Sequence, residues 1–244
     1  GEGAALKAIQ AIEHAAEGLA LHPRWGDAAP PSFNLQRCTQ CKRCTEECPF
    51  GTLAEDERCT PKLNSSRCRR CGICLGACPE RIIAFPDYSI DLVSTLVKSV
   101  PIPDEFEESP RILVLACEND AYPALELAGL HRHRHSAYVR VIPVRCLGSV
   151  NVIWIADAMA MGYDGVLLLG CVPGEDTQCH YLRGSELMTT RSENVKQKLT
   201  QLALEDERVR IEYVAFTDYP TLGARIDAFV ARIQEIGLNP FKDV

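Results

Sequence analysis

The chain has 244 residues, 46% hydrophobic and 24% charged, the composition of a soluble globular protein of one or two domains rather than of a disordered or fibrous one. A net charge of -7 argues against a general nucleic-acid binder, whose phosphate contacts need a cationic surface. Thirteen cysteines, an odd number, cannot all pair as disulfides within the chain.

From the amino end, Ala4 to Leu21 (AALKAIQAIEHAAEGLAL) is rich in strong helix formers and is followed by Pro23, which predicts one helix with a stop. No cationic segment with an apolar run behind it opens the chain, so no secretory signal is read and a reducing cytoplasm is expected. The numbering begins at Gly1 rather than Met, which fits a processed or tagged chain or a piece of a longer protein. Gly1 and Gly3 make no dinucleotide fingerprint, because no strand precedes them and no G-x-G-x-x-G follows. Residues Ala29 to Phe33 are a Pro-rich connector, and Pro101 to Pro110 (PIPDEFEESP) an acidic, proline-punctuated linker. The expected division is a helix and connector over 1–30, a cysteine-rich module over 31–100, the linker over 101–110, and a second domain over 111–244.

Within the module the motif C-x2-C-x2-C-x3-C-P occurs twice, as RCTQCKRCTEECP from Arg37 to Pro49 and RCRRCGICLGACP from Arg67 to Pro79. Two-residue spacings let three consecutive thiolates wrap one cubane, while the fourth cysteine serves the other cluster. Cys38, Cys41, Cys44 and Cys78 are therefore expected on one 4Fe-4S centre, and Cys68, Cys71, Cys74 and Cys48 on the other. Zinc explains the pattern less well, since zinc sites use pairs of such cysteines and have no need of triplets followed by Cys-Pro. Apolar residues are sparse here, so the module is expected to depend on its metal for folding. From Arg37 to Ile82 nine Lys and Arg face six Asp and Glu, a local +3 that leaves the rest at -10. Lys42, Arg43, Arg69, Arg70 and Arg81 either favour reduced clusters, meet an acidic partner, or form an ordinary solvated face. Cys59, between the motifs and without partner spacing, reads as a free thiol.

Beyond Arg111, RILVLAC, VRVIPVRC, GVLLLGC and VRIEYVAF read as buried strands alternating with helices. The last helix is the clearest: Ile226, Phe229, Val230 and Ile233 share a face, with Gly237 placed as its cap. The fold class is an α+β two-cluster ferredoxin-like module followed by an α/β domain with a parallel sheet. Cys117, Cys146 and Cys171 end three of these strands, and Cys179 follows in the loop VPGEDTQCHY. Parallel strands finish on one edge, so the thiols should converge there and suit a 2Fe-2S centre or zinc; buried cysteines acting as small apolar residues are the alternative. His180 reads as structural, and HRHRH (His131 to His135) as a solvated loop. The most apolar stretch, Val141 to Gly162, is broken by Arg145, Asn151 and Asp157, so no direct membrane insertion is expected. No flavin or nicotinamide site is read in the chain, and no acid-base or nucleophile constellation.

RCTQCKRCTEECPFG, RCRRCGICLGACPERII, LACENDAYPAL, PVRCLGSVN and GCVPGEDTQCHYLRGSELMTTRSENV together resemble the carboxyl-terminal part of the B-subunit family of quinone-interacting membrane-bound oxidoreductases (Qmo). The second domain also resembles the delta subunit of methyl-viologen-reducing hydrogenase, which supplies a 2Fe-2S centre, and the whole is related to the A subunit of heterodisulfide reductase. The resemblance implies an electron relay between a flavin-containing subunit, a membrane quinone-reactive haem subunit and adenylylsulfate reductase in dissimilatory sulfur metabolism. It implies a cytoplasmic chain attached peripherally to the membrane through those partners. FAD is expected only in a partner or in an amino-terminal flavin region, of which the first helix would be a remnant. The alternatives are a delta-type connector between a hydrogenase and heterodisulfide reductase, and a structural or regulatory iron-sulfur module.

Overall fold

The computed structural model describes residues 29–101, 109–174 and 179–243, together with Ala8 and Ile12, both helical. The rest of the helix predicted over Ala4 to Leu21, and residues 102–108 of the acidic linker, lie outside the described residues.

The duplicated motif is duplicated in the backbone. One half carries strand β1 (Ser32–Phe33), helix α1 (Arg43–Glu46) and the strand pair β2 (Leu53–Glu55) and β3 (Pro61–Leu63); the other carries α2 (Ile73–Ala77), β4 (Ile83–Phe85) and β5 (Tyr88–Ser89). Single-turn 3-10 helices at Leu35–Arg37 and Ser65–Arg67 lead into the two cysteine loops. Left-handed residues recur thirty positions apart: Gln40 and Arg70, Lys42 and Gly72, Gly51 and Arg81. The first two pairs lie inside the C-x2-C-x2-C segments and wind each loop, and the third turns the chain after the Cys-Pro. Glycine carries the reversal without strain at position 72, where φ is 79° and Cβ-bearing residues are disfavoured.

After α3 (Ile90–Ser99) come β6 (Ile112–Cys117), α4 (Ala121–Leu130), β7 (Val139–Val144), α5 (Val152–Ala160), β8 (Gly165–Gly170), α6 (Gly184–Gln201), β9 (Val209–Tyr213) and α7 (Tyr219–Ile236). The sheet is parallel, in the order β7-β6-β8-β9. All six residues of β6 and of β8 are buried, as expected of central strands covered on both faces. Leu113, Leu115, Val166 and Leu168 point to the face covered by α3, α5 and α6. Ile112, Val114, Leu167 and Leu169 point to the face covered by α4 and α7, where the predicted stripe Ile226, Phe229, Val230 and Ile233 is buried. Gly237 ends α7 with φ at 93°, its N–H donating to the Ile233 carbonyl at 3.0 Å.

The sparse apolar residues of the module do not stand alone. Leu75, Ile82, Ile83, Phe85 and Tyr88 belong to the same buried cluster as Leu113 and Trp154 of the α/β half. Trp154 Nε1–H donates to the Ile90 carbonyl at 2.9 Å, seating the start of α3 on α5. The core that the module lacks by composition is supplied by the sheet behind it.

Candidate metal centres

Cys38, Cys41 and Cys44 of the first loop and Cys78 of the second line one small, partly open void. Cys68, Cys71 and Cys74 of the second loop and Cys48 of the first line another, walled by Phe50, Leu53, Leu63 and Phe85. The crossing follows from the local fold: a short helix containing the third cysteine of each loop, Cys44 in α1 and Cys74 in α2, carries the fourth away from its own set. Among the described residues no three His, Cys, Asp or Glu side chains converge on the point a single metal ion would occupy. The sulfurs ring voids instead, which fits a multi-iron group better than a zinc ion.

Burial is the largest influence on Cys44, Cys68, Cys71, Cys74 and Cys78. It pushes the Cys44 thiol up to about 12, with the Cys78, Cys41 and Cys38 charges adding to the rise. It likewise pushes Cys71 up to about 12 and raises Cys74 strongly, the latter also against Cys71, Cys48, Cys68 and Cys44. Burial raises Cys78 too, and the N–H groups of Ile82, Glu80 and Arg81 oppose it by donating to the sulfur. Crowded thiols that resist ionising alone are stabilised as thiolates by a bound cation, so the donor set fits a metal group.

The third set forms where the sheet ends. Cys117 closes β6 and Cys171 follows β8, the strand beside it, so their Sγ atoms lie 3.5 Å apart, a thiol contact and not a disulfide. Cys146 does not end β7 as the sequence predicts; the strand stops at Val144, and Cys146 begins the next turn. Cys179 joins them from the far side of the loop. Hydrogen bonds first from Cys146 and then from Cys171 hold the Cys179 thiol down to about 2; Cys146 is raised in return, and Cys171 is raised first by its hydrogen bond to Cys117 and then by that to Cys179. Cys117 is lowered by the Cys171 hydrogen bond and by Asn119, whose Nδ2 donates to its Sγ at 3.4 Å. All four are buried, and the all-sulfur donor set fits a compact four-thiolate group.

The three sets follow one another. Cys44 of the first stands close enough to Cys74 of the second for its charge to raise that thiol. Cys71 of the second and Cys146 of the third share a small buried cluster with Ile73 and Leu187. Of the other residues singled out in the sequence, Cys59 lines the first void beside Lys42, which hydrogen-bonds it. His180 is half-buried next to Cys179, and His131 and His133 pack against the Tyr219 ring. Asn119, Arg145 and Gly184, all at the third set, carry no motif that sequence reasoning finds. No helix of the described residues is long and apolar enough to cross a membrane.

Residues 112–237 match the family model described as methyl-viologen-reducing hydrogenase, delta subunit, and residues 37–83 match that of the 4Fe-4S dicluster domain. The chain is 34% identical over 136 residues to an iron-sulfur subunit of the F420-non-reducing hydrogenase of Archaeoglobus profundus, covering 56% of this chain and 96% of that protein. It is 30% identical over 201 residues to a subunit (HdrA) of the ferredoxin:CoB-CoM heterodisulfide reductase of Methanosarcina mazei, covering 82% of this chain but 25% of that protein. The corresponding subunit of the ferredoxin/F420H2-dependent CoB-CoM heterodisulfide reductase of Methanosarcina acetivorans is 29% identical over 130 residues, 53% of this chain and 16% of its own length. The chain thus spans a quarter or less of these two larger relatives.

Proposed function

The chain belongs to the family of the methyl-viologen-reducing hydrogenase delta subunit, carries a 4Fe-4S dicluster domain ahead of it, and is an iron-sulfur electron-transfer subunit; from that premise we propose its place in a relay. In this reading Cys38, Cys41, Cys44 and Cys78 hold one 4Fe-4S cluster, Cys68, Cys71, Cys74 and Cys48 a second, and Cys117, Cys146, Cys171 and Cys179 a 2Fe-2S cluster. Such centres, when bound, take up and release single electrons. The protein's own part is to fix their order and to keep water from the second and third, which the apolar walls of the second void and the four buried sulfurs of the third set do. The observation that carries the reading is adjacency: Cys44 beside Cys74, and Cys71 beside Cys146. A purely structural iron-sulfur module has no need of three sets in line.

The relay runs between a flavin- and quinone-linked membrane complex and adenylylsulfate reductase, with a haem-bearing membrane subunit as the quinone-reactive partner and FAD held outside the described residues. The support is the Qmo-like sequence of both cysteine loops and of the segment from Gly170 to Val195. Membrane attachment is then peripheral and made by the partners. A second reading, a connector between a hydrogenase and heterodisulfide reductase, is favoured by the 34% identity to a hydrogenase iron-sulfur subunit over nearly all of that protein.

The test begins with metal content. Native protein purified without oxygen should contain at least about eight iron and eight sulfide ions per chain, and zinc in their place would sink the reading. Reduced protein is then mixed in a stopped-flow instrument with adenylylsulfate reductase or with heterodisulfide reductase. Rapid reoxidation by the first alone supports the Qmo-like role; by the second alone, the connector.

A further inference from the structure

Arg145 interrupts an apolar run in the sequence, and in the structure it is 3% exposed. A buried guanidinium needs a reason, because it is charged at every accessible pH and costly to remove from water. Its guanidinium carbon stands 4.4 Å from the centroid of the Phe85 ring and 4.9 Å from that of Tyr88. Phe85 walls the void lined by Cys48, Cys68, Cys71 and Cys74. Nη1 donates to the carbonyl of Arg70 at 3.3 Å, in the loop between Cys68 and Cys71, and the Arg70 N–H donates to Cys68 Sγ at 3.4 Å.

The backbone of the same residue serves the third set. Its carbonyl accepts a hydrogen bond from Asn119 Nδ2 at 3.1 Å, the amide that also donates to Cys117 Sγ, and the next residue is Cys146. Arg145 therefore touches the second cysteine loop with its side chain and the third thiol set with its main chain. The charges near it are of both signs: the Arg70 side chain, and Glu118, buried and close enough to act on Tyr88. The positive charge of Arg145 reaches Cys68, where it opposes the rise that burial imposes.

We propose that Arg145 is a positioning residue that holds the loop from Cys68 to Cys71 in register with the third thiol set and raises the reduction potential of the cluster in the second void. The proposal rests on the reading that a cluster is bound there. Adding one electron makes that group more negative, and a fixed cation in a buried site favours the more negative state. Removing Arg145 withdraws that cation, and the potential falls.

The test is a redox titration, followed by electron paramagnetic resonance, of the whole chain purified without oxygen. Arg145→Met and Arg145→Lys are compared with the native protein, and Cys48→Ala identifies the signal of the second void. Arg145→Met should lower that potential enough to change the oxidised-to-reduced ratio at fixed poise at least tenfold, about 59 mV for one electron, with the other 4Fe-4S signal unmoved. Arg145→Lys keeps the charge but loses the planar fork, so its shift should be smaller and of the same sign. An unmoved potential in an iron-replete Arg145→Met protein overturns the proposal. If that variant loses its iron, Arg145→Gln, which keeps a planar hydrogen-bonding head without the charge, takes its place, and an unmoved potential there overturns the proposal. Native protein lacking two 4Fe-4S signals would sink the underlying reading instead, a result visible before any variant is made.

Discussion

Cys71 and Cys146 lie in one buried cluster with Ile73 and Leu187, although seventy-five positions separate them in the chain. Phe50 and Tyr181 pack against it edge to face, with ring centroids 6.3 Å apart. The second and third sets therefore meet through apolar side chains, and the first set adjoins only the second by the contacts described. Cys146→Ala should leave both 4Fe-4S signals intact while abolishing the third centre and slowing electron delivery to a partner at least about tenfold. Metal analysis and stopped-flow reoxidation check this; unchanged delivery with the third centre gone would remove Cys146 from the path.

Cys48 belongs to the first motif in sequence and to the second void in space. Cys48→Ala should damage the cluster held by Cys68, Cys71 and Cys74 and spare the one held by Cys38, Cys41, Cys44 and Cys78. Resonance spectra of the reduced variant decide the matter. Loss confined to the first-void cluster would contradict cross-ligation.

The cysteine loops were the most legible part of the sequence because their chemistry is local: the spacing and the trailing Cys-Pro lie within a few residues of each sulfur, and the same pattern recurs thirty positions on. The strand runs and the buried face of α7 were legible by period. Convergence of Cys117, Cys146 and Cys171 followed from the shared edge of parallel strands, even though β7 stops two residues short of Cys146. What stayed hidden is long-range. Nothing near Arg145 shows that it stacks on Phe85, and nothing near Leu75 or Ile83 shows that the core they join includes Trp154. A glycine starting a helix, as Gly184 does, reads as an ordinary terminus until its neighbours are known.

Arg191 reaches from α6 to the cluster module and is 8% exposed. It pairs with Glu47, and its Nη1 donates to the Gly148 carbonyl at 2.7 Å. Arg191→Met would strand the Glu47 carboxylate in a partly buried site, a loss of about 3–5 kcal/mol for a broken buried pair. Glu47→Gln keeps the carbonyl bonds of Arg191 and should cost less, about 1–3 kcal/mol. Anaerobic denaturant titration of cluster-loaded protein measures both, with Arg191→Met expected to have the lower midpoint. Equal midpoints for Arg191→Met and the native protein would show that the pair does not help to join the two halves.

Gly184 offers the sharpest test of the third set, because it acts on the thiols without removing one. It opens α6 with a backbone conformation open to any residue, and alanine is the better helix former, so Gly184→Ala brings no backbone penalty. A Cβ there would collide with Cys146 Sγ and come within 3.6 Å of Cys179 Sγ. The neighbouring space is closed as well, since Gly148 packs against Gly184. Cys146 must then move, and a four-thiolate site tolerates little displacement of one ligand. Gly184→Ala should keep its helical circular dichroism and the iron of both 4Fe-4S clusters, yet lose the visible and resonance signals of the third centre. Gly129→Ala, at a helical position where an added Cβ meets nothing within 4 Å, is the control and should leave all three centres unchanged. Full third-centre signals in Gly184→Ala would mean that Cys146 does not hold that centre in the geometry described, and the assignment of the four thiols to one group would fall.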